Sequence, residues 1–259
     1  MNPDNKRLKE AAVEVARMAG DVLLGYFRSD HLKVLTKLNE SDIVTEADKA
    51  SESVILRYLG EHFPDHAVLS EESGVSGGDA DYQWVIDPLD GTTNFRSGLP
   101  NFSVSIGVKY RGETVVGVVY APYLRELFCA EKGCGATLNG KPIHCSAIAS
   151  IDRSVLATGF PVDKNVNPDN NLDNVARILP LIRGLRRLGS AAIDICYTAA
   201  GFLEGYWELN LHEWDVCAGL LIAAEAGCEY SCFRSEPARN ICLAVAAPPI
   251  YRIIINELR

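Results

Sequence analysis

The hydrophobic rhythm of this chain changes twice, and the two changes restrict its fold more than any other feature. Over residues 5–28 the apolar residues Leu8, Ala12, Val15, Ala19, Val22 and Leu23 recur at helical spacing. Residues 45–63 read as a second helix, which Pro64 ends. From Tyr82 the period drops to two. Phe102, Val104, Ile106 and Val108 alternate with small or polar residues, and Arg111-Gly112-Glu113 turns the chain into residues 114–120. Gly133-Cys134-Gly135 and Asn139-Gly140 mark further hairpins. After Ala149 short apolar strands at 154–159, 187–189, 229–233 and 240–246 alternate with helical stretches at 171–183, 191–206, 215–226 and 250–258. The pattern predicts helices packed on an antiparallel sheet over residues 1–150, then an α/β half over residues 151–259. No internal repeat and no long linker separates them. A chain of 259 residues needs neither a disulfide nor a metal merely to fold.

The charge sum narrows the function. With 25 Lys and Arg against 34 Asp and Glu, the net charge is −9. Such a surface repels nucleic acid and anionic membranes, so neither is an expected partner. It also repels a phosphorylated substrate unless bound cations reverse the field locally. The eight cysteines form no CxxC pair and sit mostly among apolar neighbours, as buried thiols in a reducing compartment do. The opening MNPDNKRLKE has no apolar signal region, and no apolar run approaches a membrane span. The expected location is the cytoplasm.

Four polar segments carry the chemistry. Residues 84–95 read WVIDPLDGTTNF: an apolar strand runs into Asp87, a proline turn, Asp90, and a short helix opened by Gly91-Thr92-Thr93. Pro88 holds Asp87 extended, so Asp87 and Asp90 can face one space with the Leu89 carbonyl between them. That is a hard oxygen donor set suited to Mg²⁺; the plainer alternative makes Asp90 an N-cap and Asp87 a turn former. Residues 70–73 read SEES, either a solvated rim or part of a site. Residues 41–48 read SDIVTEAD, where Thr45 and Asp48 fit a capping box whose carboxylate can also face a cleft. Residues 208–219 read ELNLHEWDVCAG, with Asp215 as either helix N-cap or ligand.

Together these segments resemble the inositol monophosphatase family of Mg²⁺-dependent, lithium-sensitive phosphatases, related to fructose-1,6-bisphosphatase. The matching pieces are D-x-V-T-x-x-D at Asp42 to Asp48, E-E-S at Glu71 to Ser73, the whole Trp84 to Phe95 motif, and W-D-V-x-A-G at Trp214 to Gly219. The resemblance implies an α+β fold of alternating α/β/α/β/α layers. It implies two or three Mg²⁺ per subunit, held by Glu72, Asp87, the Leu89 carbonyl, Asp90 and Asp215. Thr92 and Asp48, with Glu72, are implied to orient and deprotonate the attacking water. Gly91, Thr92 and Thr93 are implied around the phosphate, with Gly189, Ser190, Ala191, Glu208 and Lys37 near the substrate. The family also implies a homodimer. Departures include Ser70 for a frequent glycine and Cys228 where a second glycine is usual.

The expected activity is hydrolysis of inositol monophosphate or a similar polyol or sugar phosphate. Fructose-1,6-bisphosphatase, nucleotide phosphatase and a regulatory binding protein built on the same fold are the alternatives. Arg183, Arg186 and Arg187 form either a solvated rim or a site for a second phosphate. Gly74 to Gly78 matches G-x-S-x-G, but acidic residues precede it and a polar stretch follows, so it reads as a loop. No zinc-type histidine spacing and no Walker A sequence is present.

Overall fold

A computed structural model describes residues 3–29, 34–36, 43–233 and 240–259. The first part of the chain contains α1 (Pro3–Tyr26), β1 (Val34–Thr36), β2 (Ile43–Thr45), α2 (Glu46–His62), β3 (Ala67–Ser70), β4 (Gly74–Ser76) and β5 (Tyr82–Asp90). After a short α3 (Thr92–Arg96) come β6 (Ser103–Tyr110), β7 (Glu113–Ala121), β8 (Glu126–Glu131), β9 (Ala136–Leu138) and β10 (Lys141–Ile143). Then follow β11 (Val155–Thr158), α4 (Leu172–Ile178), β12 (Gly184–Arg186), α5 (Ala191–Ala199) and β13 (Gly205–Leu211). The last elements are α6 (Glu213–Glu225), β14 (Glu229–Cys232), β15 (Ile241–Ala246) and α7 (Pro248–Glu257).

Two sheets organise these elements. The first has eight strands in the order β10-β9-β8-β7-β6-β5-β3-β4, antiparallel except where β3 runs parallel to β5. The second has five in the order β12-β11-β13-β15-β14, with parallel pairs on either side of β11 and antiparallel pairs around β15. Helices α1 and α2 cover one face of the large sheet, α6 covers the other, and α5 links α6 to the small sheet. On the far side of the small sheet lie α7 and α4. The expected alternating α/β/α/β/α layering is therefore the observed one.

Alternation in β6 and β7 explains how both faces of the large sheet are covered. Val104, Ile106 and Val108 join Val116 and Val118 in the core under α1 and α2. The small residues between them serve the other face. Gly107 and Gly117 are cross-strand partners, and a Cβ on Gly117 would lie 2.5 Å from the Ala218 carbonyl oxygen of α6. Helix α6 thus sets its Ala218 backbone on Gly117 and its Cys217 side chain on Gly107.

The boundaries differ from the sequence expectation in three places. The helix expected over 191–206 stops at Ala199, and Gly205–Leu211 is instead the central strand of the small sheet. Gly201, at φ +71°, provides the left-handed turn that ends the helix, and Tyr206 and Trp207 favour a strand. The apolar run AAIDICYTAA hides this break because α5 is buried nearly all round. The strand expected at 187–189 lies at Gly184–Arg186, so residues 187–189 form the turn entering α5. Helix α4 ends at Ile178 before Pro180, not at 183. Residues 74–76, expected as part of a loop, form edge strand β4 paired with β3, and the next element is β5, not the helix that the nucleophile motif needs.

Candidate active site

The large sheet delivers the central residues at the carboxyl end of β5. Asp87 is almost fully buried, and its Oδ1 accepts the Leu89 amide at 3.0 Å, where β5 shifts register against β6 between Asp87 and Asp90 instead of ending in the expected turn. The Pro88 carbonyl is held by Ser51 Oγ of α2 at 2.7 Å. Gly91 follows at φ +92°, and a Cβ there would lie 2.8 Å from the Asn101 carbonyl oxygen, so both conformation and space demand glycine. Thr92 Oγ1 lies 3.1 Å from Asp48 Oδ1 and 3.1 Å from the Leu89 carbonyl oxygen.

Asp48 divides its two oxygens between fold and site. Its Oδ2 accepts the Thr45 amide at 2.8 Å and the Thr45 hydroxyl at 2.6 Å, so the expected capping box is present. The other oxygen meets Thr92. Burial raises the pKa of Asp48, which makes it a better proton acceptor.

Asp90 does not cap the helix that follows it. Its carboxylate crosses to the start of α5, where it accepts Ser190 Oγ at 2.5 Å and the Ala192 amide at 2.8 Å. Ser190, the N-cap of α5, is buried behind the site, while Gly189 and Ala191 line the cleft. Asp215 is likewise not an N-cap. It stands at the third position of α6, and its Oδ2 accepts the His212 amide at 2.6 Å. Ser105 Oγ of β6 donates to the Trp214 carbonyl at 3.3 Å, fixing that end of α6 to the large sheet.

Of the two adjacent glutamates, Glu71 is among the residues that line the cleft and Glu72, the one expected, is not. Glu71 lines the cleft and is the neighbouring charge acting most strongly on Asp87. The two glutamates stand on the turn that joins β3 to β4. Ser70, the departure from the family's glycine, donates to Glu52 Oε1 at 2.5 Å, and Ser73 also bonds that oxygen through its amide and hydroxyl at 3.0 Å. Glu52 therefore anchors the segment on both sides of the glutamate pair. Its position on α2, far in sequence from SEES, left no local signal of this role.

These groups surround a cleft of about 770 Å³ between the two sheets, lined by Glu71, Asp90, Arg187, Glu208 and Asp215. Thr93 is exposed on the first turn of α3, and Lys37 lies outside the described residues. Glu208, on β13, accepts the Tyr206 hydroxyl at 2.5 Å. The crowded acids hold their protons strongly. Burial pushes Asp87 well above the usual carboxylate range, and Glu71, Asp90 and Asp215 add repulsion. Burial likewise raises Asp90 and Glu208 to about 7.

Carboxylates that repel one another in a buried cleft, with a backbone carbonyl nearby, fit hard divalent cations, and Mg²⁺ above all. Among the described residues no three His, Cys, Asp or Glu side chains converge into a ready-made coordination shell. No described helix is long and apolar enough to cross a membrane.

Known proteins resemble this chain over nearly its full length. The Nus factor SuhB of Pasteurella multocida is 42% identical over 264 residues, covering 100% of this chain and 97% of that protein. The extragenic suppressor protein SuhB of Bartonella henselae superposes with a TM-score of 0.91 at 34% identity, covering 98% of each chain. The inositol monophosphatase of Anabaena superposes at 0.86 with 39% identity, covering 97% of this chain and 95% of its own. A model of the inositol monophosphatase family spans residues 4–253, taking in both sheets and every acid of the cleft, and the chain belongs to that family.

Proposed function

We propose that the protein is a Mg²⁺-dependent phosphomonoesterase that hydrolyses inositol monophosphate or a similar polyol or sugar phosphate. The observation that carries this reading is the pairing of a buried acid cluster, Asp87 with Glu71, Asp90 and Asp215, with the adjoining Thr92–Asp48 couple. Glu71, Asp87, the Leu89 carbonyl, Asp90 and Asp215 would hold two or three cations per subunit. Bound cations supply Lewis-acid stabilisation of the phosphoryl group and make a water acidic enough to attack it. The chain's own part is positioning, which dominates phosphoryl transfer. Thr92 Oγ1 orients the attacking water, and Asp48 Oδ1 receives the proton relayed through that hydroxyl. The Gly91, Thr92 and Thr93 segment faces the phosphate, and Glu208 accepts hydrogen bonds from substrate hydroxyls. Family membership supports a cytoplasmic homodimer.

A second reading, a regulatory factor, is favoured by the identity to the Nus factor SuhB. The two are compatible, because every acid the hydrolase needs is present. Phosphate release from inositol 1-phosphate, measured with Mg²⁺, with EDTA, and with Mg²⁺ plus Li⁺, tests the first reading. Turnover that requires Mg²⁺ and is suppressed by EDTA and by Li⁺ is expected. Silence on this ester, on bisphosphates and on nucleotide phosphates, with Mg²⁺ bound, would overturn it and leave the regulatory reading.

A further inference from the structure

Within its first two turns, α2 buries three polar side chains, Asp48, Ser51 and Glu52. Their spacing of i, i+3 and i+4 puts them on one face of the helix. Further along that face Ile55 and Leu59 enter the apolar core.

Each of the three bonds a different segment beside an acid of the cleft. Asp48 Oδ1 accepts Thr92 Oγ1 at 3.1 Å, just past Asp90. Ser51 Oγ donates to the Pro88 carbonyl at 2.7 Å, between Asp87 and Asp90. Glu52 Oε1 accepts Ser70 Oγ at 2.5 Å and the Ser73 amide and hydroxyl at 3.0 Å, on both sides of Glu71. The parallel pairing of β3 with β5 runs out at this level, with Ser70 opposite Ile86 and the Glu71 amide on the Ile86 carbonyl at 3.1 Å. Where the sheet stops holding the acid-bearing segments together, α2 holds them instead.

The helix does not need these bonds for itself. Asp48 caps it with its other oxygen. A serine inside a helix commonly bonds the carbonyl one turn back, whereas Ser51 gives its hydroxyl to a carbonyl 37 residues away. A buried carboxylate is costly unless hydrogen-bonded, and Glu52 gathers its donors from the Glu71 segment. Neither Ser51 nor Glu52 lines the cleft, so both act through the segments they hold.

We propose that α2 is a template that sets the spacing of the cation ligands, with Ser51 and Glu52 as positioning residues for the Asp87–Asp90 segment and for Glu71. The inference rests on the reading that Mg²⁺ binds at these acids.

Ser51→Ala and Ser70→Ala each delete one of the bonds without changing a charge, so they reach the cations through geometry alone. Mg²⁺ itself is the probe, titrated into EDTA-treated protein while the melting temperature is followed. Each variant is expected to need roughly three- to tenfold more Mg²⁺ for half of the full rise. The double variant should need about the product of the two factors, because the bonds hold separate segments. Ser51→Cys, close in size and a weak donor, serves if Ser51→Ala does not fold. Ile254→Ala, buried on α7 beyond the small sheet, is the control, expected to melt lower in EDTA with an unchanged Mg²⁺ requirement. Serine variants that behave like this control, or like the parent, would overturn the proposal. If Mg²⁺ does not raise the melting temperature of the parent, the cation reading itself has failed, and the template with it.

Discussion

Glu71 and Glu72 are chemically identical neighbours, so only placement distinguishes them. Glu71 lines the cleft and raises the proton affinity of Asp87. Glu52, bonded to Ser70 and Ser73, holds the segment on either side of the two. Glu71→Gln is therefore expected to lower kcat/KM by at least about a hundredfold, as loss of a group that stabilises charge in the transition state does. Glu72→Gln should stay within a few-fold of the parent. Steady-state kinetics at several Mg²⁺ concentrations decide the matter, and the reverse ranking would return Glu72 to the site. Asp48 shows the same economy within one side chain, since one oxygen caps α2 and the other meets Thr92. A cap and a proton acceptor are not competing explanations when a carboxylate has two oxygens.

At the scale of elements, the glycine pair under α6 sets where Asp215 sits. Gly107 leaves room for the Cys217 side chain and Gly117 for the Ala218 backbone, and Ser105 ties the Trp214 carbonyl beside Asp215. Gly117→Ala would force a Cβ to 2.5 Å from the Ala218 carbonyl oxygen, so α6 must lift. The expected result is a loss of about 1–3 kcal/mol in denaturant unfolding together with weaker Mg²⁺ activation. A fully stable variant with normal Mg²⁺ dependence would show that this contact does not position Asp215. The small residues of β6 were readable from the sequence as an alternation, but not as the seat of a helix arriving from a hundred residues away. The same limit explains the other differences. The capping box at Thr45 and Asp48 is local, and the sequence reading placed it correctly, whereas the turn expected after Asp87 is an irregularity inside β5, which keeps its pairing with β6 as far as Asp90. The bond from Asp90 to α5 and the anchor from Glu52 to Ser70 join distant segments, and β13 was hidden by the apolar continuity of α5. Motif and residue type singled out Asp87, Asp90 and Asp215 but took Glu72 where Glu71 lines the cleft, because which elements these acids serve depends on contacts that no local pattern encodes.

Across the whole molecule, the starts of three helices meet at the cleft. Asp48 stands at the third position of α2, Asp215 at the third of α6, and Asp90 accepts the first amides of α5. The positive ends of these helices offset part of the repulsion among the acids. The offset is incomplete, because Asp87 is held well above the ordinary carboxylate range and Asp90 and Glu208 lie near 7. In the unfolded chain these acids release their protons around pH 4. Between about pH 4 and 7 the metal-free folded protein therefore binds more protons than the unfolded chain, and its stability falls as the pH rises through that window. His66 works in the opposite direction, since burial lowers its pKa and its contribution grows with pH. It packs against Phe63, Tyr82 and Trp84, away from the acids, so comparison with and without Mg²⁺ cancels its effect. Cations that take the place of protons in the cleft should stabilise the protein most where the acids are ionised. Melting temperatures at saturating Mg²⁺ and in EDTA are accordingly expected to differ more at pH 8 than at pH 5.5, with most of the pH dependence in the EDTA series. A Mg²⁺-induced shift of equal size at both pH values would mean that the acids of the cleft are not where the cations bind.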